Sequence, residues 1–293
     1  MAAFFGELVG VTTVGGNAPL ADVTANALIT CQVFGLDVDV HPGCDRPLVA
    51  EPVNAPEIHG VSGFAGPALP QLDRSPSAVG AVEYMIETIR AEDGLWLVPT
   101  GPLTNVAVVL RQAPDVIDRL AGISFMGGSA GAGNRTAAAE FNALVDPEAL
   151  SVVVGSGARI FMSGLDLTHQ FVVDDSMVAD LRQIGNQGAE MLADLIAAYL
   201  DKAEARGAPR QGGMHDPCAV LAVTHPDLIG RTLRSVEVEL NGDFTRGMTV
   251  VDQRPGSRSA GNVEHCHSLD DGRCRSLLLE AVAALGGAGS GGD

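Results

Sequence analysis

Residues 95–112, LWLVPTGPLTNVAVVLRQ, join an apolar run to a stretch with helical spacing through the turn Thr100-Gly101-Pro102. The run Leu95–Val98 has the uninterrupted apolar character of a strand that is buried on both faces. After Pro102 the apolar residues recur at spacings of three and four, which is typical of a helix. The stretch therefore predicts a strand, a polar turn at its carboxyl end, and a helix.

The same alternation recurs along the chain. Further strand and helix patterns are ELVGVTTV (7–14), PLADVTANALITCQVFG (19–35), GISFMGG (122–128), DPEALSVVVGSG (146–157) and ARIFMSG (158–164). After about residue 170 the pattern is helical, and SVEVELNG, MTVVDQR and VEHCHSL then resemble a late β addition. This order predicts an α/β fold, with an open, mostly parallel sheet, helices on both faces and a Rossmann-like core. We expect one domain over residues 1–285 and a flexible Gly-rich tail at 286–293.

Composition narrows the possible partners. The formal net charge is −18, with 18 basic and 36 acidic residues. Nucleic acids and anionic membranes select basic surfaces, so a small-molecule substrate fits better. The five cysteines form no CxxC pair, and neither a signal peptide nor a membrane-spanning run is evident. We therefore expect a cytoplasmic protein that binds neither nucleic acid nor membrane.

Polar residues follow several of the predicted strands. In open α/β sheets, ligands bind beyond the carboxyl ends of the strands. The residues at these ends and at the start of a later helix are Asn17, Thr100, Asn134, Glu140, Asn142, His215 and Asp216. Asp146 with Pro147 reads as a helix cap, but nothing local assigns a structural role to Glu140 or Asn142. Asp216 fits a helix cap and a ligand equally well.

A second possible site lies near the end of the sequence. His265, Cys266, His267 and Cys274 are residue types that bind zinc. The two histidines alternate as on one face of a strand, which favours a structural role for this segment.

The chain resembles the inosine-uridine preferring nucleoside hydrolase family over about residues 7–269. The resemblance is carried by motifs in the family's order, namely VTTVGGN, IHGVSG, VPTGPLTN, MGG, AEFN, VDPEA, GLDLTHQ and HDPCAV. It implies calcium-assisted hydrolysis of the N-glycosidic bond of ribonucleosides by a homodimer or homotetramer. The preferred base is left open, because it depends on the pocket formed by the segments at about 60–75 and 175–210, where family members vary most.

The resemblance also implies roles for particular residues. Matching family positions contact or line the ribose, and here they are Asn17, Met126, Asn134, Glu140, Phe141 and Asn142. His59 and His215 match histidines beside the base, and His215 is the catalytic candidate that would protonate it. The Thr100 carbonyl and the Asp216 carboxylate match calcium ligands, in keeping with the preference of calcium for oxygen.

One family motif has no counterpart in this sequence. An aspartate cluster of the form DxDxxxDD normally ends the family's first strand, and residues 1–6 contain no aspartate. The first strand of the fold is therefore expected to be missing, calcium binding to be weak and activity to be impaired. Three interpretations remain: a hydrolase whose true start lies upstream, a non-catalytic nucleoside-binding or regulatory protein, and a decayed remnant.

Overall fold

A computed structural model describes residues 1–256 and 259–285 and contains alternating strands and helices. The strands are β1 Val11–Thr13, β2 Val40–Pro42, β3 Trp96–Leu97, β4 Gly122–Met126, β5 Ile160–Ser163, β6 Val172–Asp174, β7 Gln211–Gly213, β8 Ile229–Arg234, β9 Val236–Val238, β10 Thr249–Val251 and β11 Val263–Leu269. The helices are α1 Ala2–Phe5, α2 Leu20–Val33, α3 Pro56–His59, α4 Ala81–Ala91, α5 Thr104–Gln112, α6 Phe141–Val145, α7 Pro147–Val154, α8 Leu165–Thr168, α9 Asp175–Ile184, α10 Gln187–Ala205, α11 Asp216–Thr224 and α12 Asp271–Leu285. The predicted tail, 286–293, lies outside the described residues.

The central sheet has the order β3-β4-β5-β11-β8. Its strands are parallel except for the antiparallel pair of β11 and β8. Every residue of β4 and β5 is buried, as expected for parallel strands covered on both faces. The predicted α/β class with a mostly parallel sheet is confirmed. The strand VEHCHSL, expected as a late addition, instead lies inside this sheet as β11.

Two apolar clusters cover opposite faces of the sheet. Ile160 and Met162 of β5 belong to a cluster with α4, α5 and α7. Phe161, the residue between them, belongs to a second cluster with α9, α10, α11 and α12. Because successive side chains of a strand point to opposite faces, this division places helices on both sides. The expected layering is confirmed.

Strands β1 and β2 form a separate parallel pair. Within the described residues they make no ladder with β3, so they stand apart from the central sheet. Asn105 of α5 joins the two parts: its Nδ2 donates to the Thr13 carbonyl at 2.9 Å, and its Oδ1 accepts from the Cys44 amide at 2.8 Å. The carboxyl ends of β1 and β3 are thereby held near each other.

The first helix, α1, packs against α11 and α12, and the Phe5 ring meets the His225 ring edge-on at 4.6 Å. In the part of the chain that the structure describes, no helix is long and apolar enough to cross a membrane.

Candidate active site

Glu140 is the most enclosed carboxylate of the site, with 3% of its surface exposed. Its Oε1 accepts from the Asn142 amide at 3.0 Å, and its Oε2 accepts from Gly128 and Ala143 at 2.9 and 3.1 Å. Burial raises its pKa, and these backbone donors oppose the increase. Glu140 is thus the N-cap of α6, a structural role that its sequence context did not predict. Three donors leave about one of its four acceptor positions free.

Asn142 links the ends of two central strands. Its Nδ2 donates to the carbonyls of Thr100 and Met126, both at 3.2 Å, and lies 3.5 Å from the Met126 Sδ. These contacts fix the side-chain amide, and within the described residues Oδ1 has no hydrogen-bond partner. One end of Asn142 therefore supports the scaffold, and the other is available to a ligand.

Asn134 also uses one end of its side-chain amide to hold the fold. Its Oδ1 accepts from the Phe141 amide at 3.0 Å, which ties the loop after β4 to the start of α6. Asn134 is exposed, and its Nδ2 has no partner among the described residues. The Phe141 ring is 9% exposed and packs with Ala55 and Val145. In the AEFN segment, the polar residues Glu140 and Asn142 therefore flank a packed apolar residue, Phe141.

Asn17 lies beyond the carboxyl end of β1. Its backbone carbonyl accepts from the Ala55 amide at 3.1 Å. Its side chain is half-buried, and it has no hydrogen bond within the described residues. The Asn54 Nδ2 donates to the Gly16 carbonyl next to it at 2.6 Å, so the turn is held from outside. A fixed turn thus carries an amide whose donor and acceptor are both free.

Asp216 is the first residue of α11, whose N-cap is His215. Its side chain is exposed to solvent, with protein atoms close around the carboxylate. Its surroundings raise its pKa to about 7, first by burial and second by the charge of Glu140. Asp216 is thus not the N-cap residue, and within the described residues no side chain forms a cap hydrogen bond at the start of α11. A carboxylate whose pKa is raised by the charge of a second carboxylate suits a site that receives a cation.

His215 lies beside Thr168 and His169. Its Nδ1 is 2.7 Å from the Thr168 Oγ1, and its ring centre is 5.6 Å from that of His169. Burial lowers the pKa of His215 to about 4, and the charges of His169 and His59 add to the decrease. His215 is therefore a neutral imidazole at physiological pH.

His59 ends the short helix α3 and lies near the same group. Burial lowers its pKa, the nearby Lys202 lowers it further, and Glu57 opposes the decrease. The Lys202 Nζ donates to the Ile58 carbonyl at 3.0 Å, and the Arg206 guanidinium donates to the Glu57 carbonyl at 3.1 Å. Lys202 of α10 and Arg206, the C-cap residue of that helix, thus bind backbone carbonyls of α3. They extend the predicted site, although their sequence context gave no sign of it.

The second possible metal site is not assembled. His265 Nε2 lies 2.6 Å from the Asp166 carboxylate, and His267 Nε2 lies 3.1 Å from the Thr232 hydroxyl. Cys266 and Cys274 are buried in the apolar cluster beneath α11 and α12. Across residues 1–256 and 259–285, no group of three or more histidine, cysteine, aspartate or glutamate side chains is arranged to hold a metal ion.

Comparisons with known proteins agree with these features. The family model described as inosine-uridine preferring nucleoside hydrolase matches residues 1–276. An inosine-uridine preferring nucleoside hydrolase of Crithidia fasciculata is 34% identical over 289 residues, covering 96% of this chain and 90% of that protein. The pyrimidine-specific ribonucleoside hydrolase RihA of an Enterobacter species is 40% identical over 283 residues, covering 94% of this chain and 89% of that protein.

Solved structures give the same result. The purine-preferring ribonucleoside hydrolase from Gardnerella vaginalis superimposes with a TM-score of 0.89 at 28% identity. The superposition covers 97% of this chain and 92% of that protein. The similarity therefore extends over nearly the whole fold.

Proposed function

The chain belongs to the inosine-uridine preferring nucleoside hydrolase family and is a ribonucleoside hydrolase, and we propose that it cleaves the N-glycosidic bond with the residues assembled at this edge of the sheet. The observation that carries the assignment is a set of polar atoms that have no protein partner within the described residues: the side-chain amide of Asn17, Nδ2 of Asn134 and Oδ1 of Asn142. Hydrogen bonds join Asn134 and Asn142 to the segment that carries the Glu140 carboxylate. Hydrolysis, and not binding alone, is the activity that the relatives favour.

The free atoms suit the hydroxyl groups of a ribose. A carboxylate accepts from a hydroxyl, and an amide donates and accepts. Hydrolysis passes through a transition state that resembles an oxocarbenium ion, so a sugar held by its hydroxyls is positioned for the change in ring shape. In this proposal Glu140, Asn142, Asn134 and Asn17 hold the ribose, with Met126 and Phe141 against its apolar surface.

The departing base lies on the side of His215 and His59. A nucleoside base leaves as an anion unless it receives a hydrogen bond or a proton, so a donor beside it lowers the barrier. His215 has this position in the proposal, and His59 contacts the base. Selectivity between purine and pyrimidine is not assigned by these two residues.

Calcium is the metal associated with this family. When bound, it would supply Lewis-acid activation of the attacking water. Thr100 and Asp216 offer one carbonyl and one carboxylate. Calcium takes about six to eight oxygen ligands. These two residues do not fit a calcium ion by themselves. We propose them as weak calcium contacts.

A comparison of inosine, uridine and 2′-deoxyinosine as substrates tests the proposal. A missing hydroxyl leaves buried polar groups unpaired, so deoxyinosine should be hydrolysed about a hundredfold more slowly than inosine. Equal rates for the two inosines would overturn the ribose assignment. Tight binding of inosine with no release of base would instead favour the non-catalytic reading.

We further propose a homodimer or homotetramer in the cytoplasm. The support is the family relationship and an acidic chain with a net charge of −18, which disfavours nucleic acid as a partner. Light scattering coupled to size-exclusion chromatography should give two or four times the monomer mass of 30.1 kDa. A monomer at micromolar concentration would contradict this.

A further inference from the structure

Thr168 presents a buried hydroxyl to the ring of His215. The side chain is fully buried, at the end of α8, and its Oγ1 lies 2.7 Å from the His215 Nδ1. We propose that Thr168 is a positioning residue that fixes both the ring orientation and the tautomer of His215. The inference rests on the proposed place of His215 beside the departing base.

The direction of this hydrogen bond follows from the partners available. A hydroxyl carries one proton, and a buried donor without an acceptor is costly. Within the described residues the Thr168 hydroxyl has no partner other than the His215 Nδ1. The hydroxyl therefore donates, and Nδ1 accepts. A neutral imidazole whose Nδ1 accepts carries its proton on Nε2.

This tautomer is the one that the reaction requires. Nε2–H donates a hydrogen bond to the departing base and stabilises the charge that develops as the glycosidic bond breaks. The imidazole keeps its proton, so no imidazolate forms and the base is protonated afterwards by solvent. The opposite tautomer would turn a lone pair toward the base and repel it. Thr168 thus acts through His215 without touching the substrate.

Among the described contacts of the His215 ring, the hydrogen bond to the Thr168 hydroxyl is the one that selects a tautomer. A Cβ atom placed at Gly213 would lie 2.9 Å from the His215 Cε1 and 3.2 Å from the His169 Cδ2, so the glycine allows both rings to lie against β7. The contact between the two rings is edge-on and does not select a tautomer. Packing confines the ring plane, and Thr168 determines which nitrogen carries the proton.

The experiment compares Thr168→Val, which replaces the hydroxyl with a methyl of similar size, with Thr168→Ser, which keeps the hydroxyl. A matched control is Thr224→Val, because the Thr224 Oγ1 lies 3.0 Å from the His225 Nδ1 in a second threonine–histidine pair outside the site. Nitrogen-15 NMR of labelled protein at pH 8 reports the histidine tautomers, and the His215→Ala variant identifies the His215 signals among the seven histidines.

We expect Nε2–H in the parent chain and in Thr168→Ser, and a mixture of tautomers or the Nδ1–H form in Thr168→Val. In kinetics, Thr168→Val should lower kcat for inosine about tenfold or more, with KM nearly unchanged. Its hydrolysis of a nitrophenyl riboside, whose leaving group needs no donor, should change less than about threefold. Thr168→Ser and Thr224→Val should keep the parent ratio between the two substrates.

Two results would overturn the inference: an unchanged His215 tautomer in Thr168→Val, or equal losses on both substrates in Thr168→Val and Thr168→Ser. Failure of the proposed function has a different signature. In that case His215→Ala would lose no more activity on inosine than on the nitrophenyl riboside, while the NMR comparison would still decide the role of Thr168.

Discussion

Replacing Asp146 should destabilise the fold much more than replacing an exposed helix cap such as Asp174. The Asp146 carboxylate is fully buried. Oδ1 caps α7 by accepting from the Ala149 amide at 3.0 Å, and Oδ2 accepts from the Leu48 amide at 3.0 Å and the Thr104 hydroxyl at 2.6 Å. Asp146→Ala removes a cap worth about 1 kcal/mol and leaves two donors unpaired at about 1–3 kcal/mol each. Since such losses are not additive, we expect about 3–5 kcal/mol.

Urea unfolding followed by circular dichroism measures this difference. The control is Asp174→Ala, because Asp174 also caps a helix, accepting from the Ser176 and Met177 amides, but its side chain is 45% exposed. That variant should lose about 1 kcal/mol, since water can replace the lost bonds. The reasoning fails if Asp146→Ala, at an unchanged m-value, loses no more free energy of unfolding than Asp174→Ala.

The remaining predictions concern Asp216 and calcium. The folded pKa of Asp216 is raised to about 7, so its ionised form disfavours the fold, and stability falls as pH rises through that value. In chelator, Asp216→Asn should therefore raise the Tm at pH 8.5, with the gain disappearing toward pH 4, and scanning fluorimetry that finds no gain at pH 8.5 would contradict the shift. Titration calorimetry of the 293-residue chain with calcium should give a Kd of about 1 mM or weaker, since one carbonyl and one carboxylate form a poor site. Micromolar binding lost in Asp216→Asn would mean that further carboxylates complete the site.

The parallel sheet and its helices were predictable because buried strands and packed helices have characteristic local patterns of apolar residues. β4 and β5 are continuous apolar runs, and α5 and α7 lie within the stretches that showed helical spacing. The position of β11 was not predictable. Its neighbours, β5 and β8, are set by long-range pairing, and a strand that carries two histidines has no local feature that marks it as interior.

The sequence singled out the candidate site residues, but it predicted the structural role of a neighbouring residue, Asp146, and not those of Glu140 and Thr168. Asp146 belongs to the residue types that commonly cap helices, and its predicted cap is observed. Glu140 does not belong to them, so its sequence gave no reason to expect a cap. Thr168 lies within a motif that was recognised, yet its contact with His215 joins positions 47 residues apart. Such a contact depends on the fold and not on local pattern.

Asn142 and Asn134 each hold the fold with one end of the side-chain amide and leave the other end free for a ligand. In Asn142 the donor end holds two strand ends and leaves the acceptor free, and in Asn134 the acceptor end holds α6 and leaves the donor free. An amide fixed at one end cannot flip, so the polarity that it presents at the other end is determined before a ligand arrives. In the proposed complex a ribose would meet hydrogen-bonding groups whose identities are already set, and binding would not have to order them. The same coupling means that a change at Asn142 or Asn134 alters the scaffold and the ligand contact together.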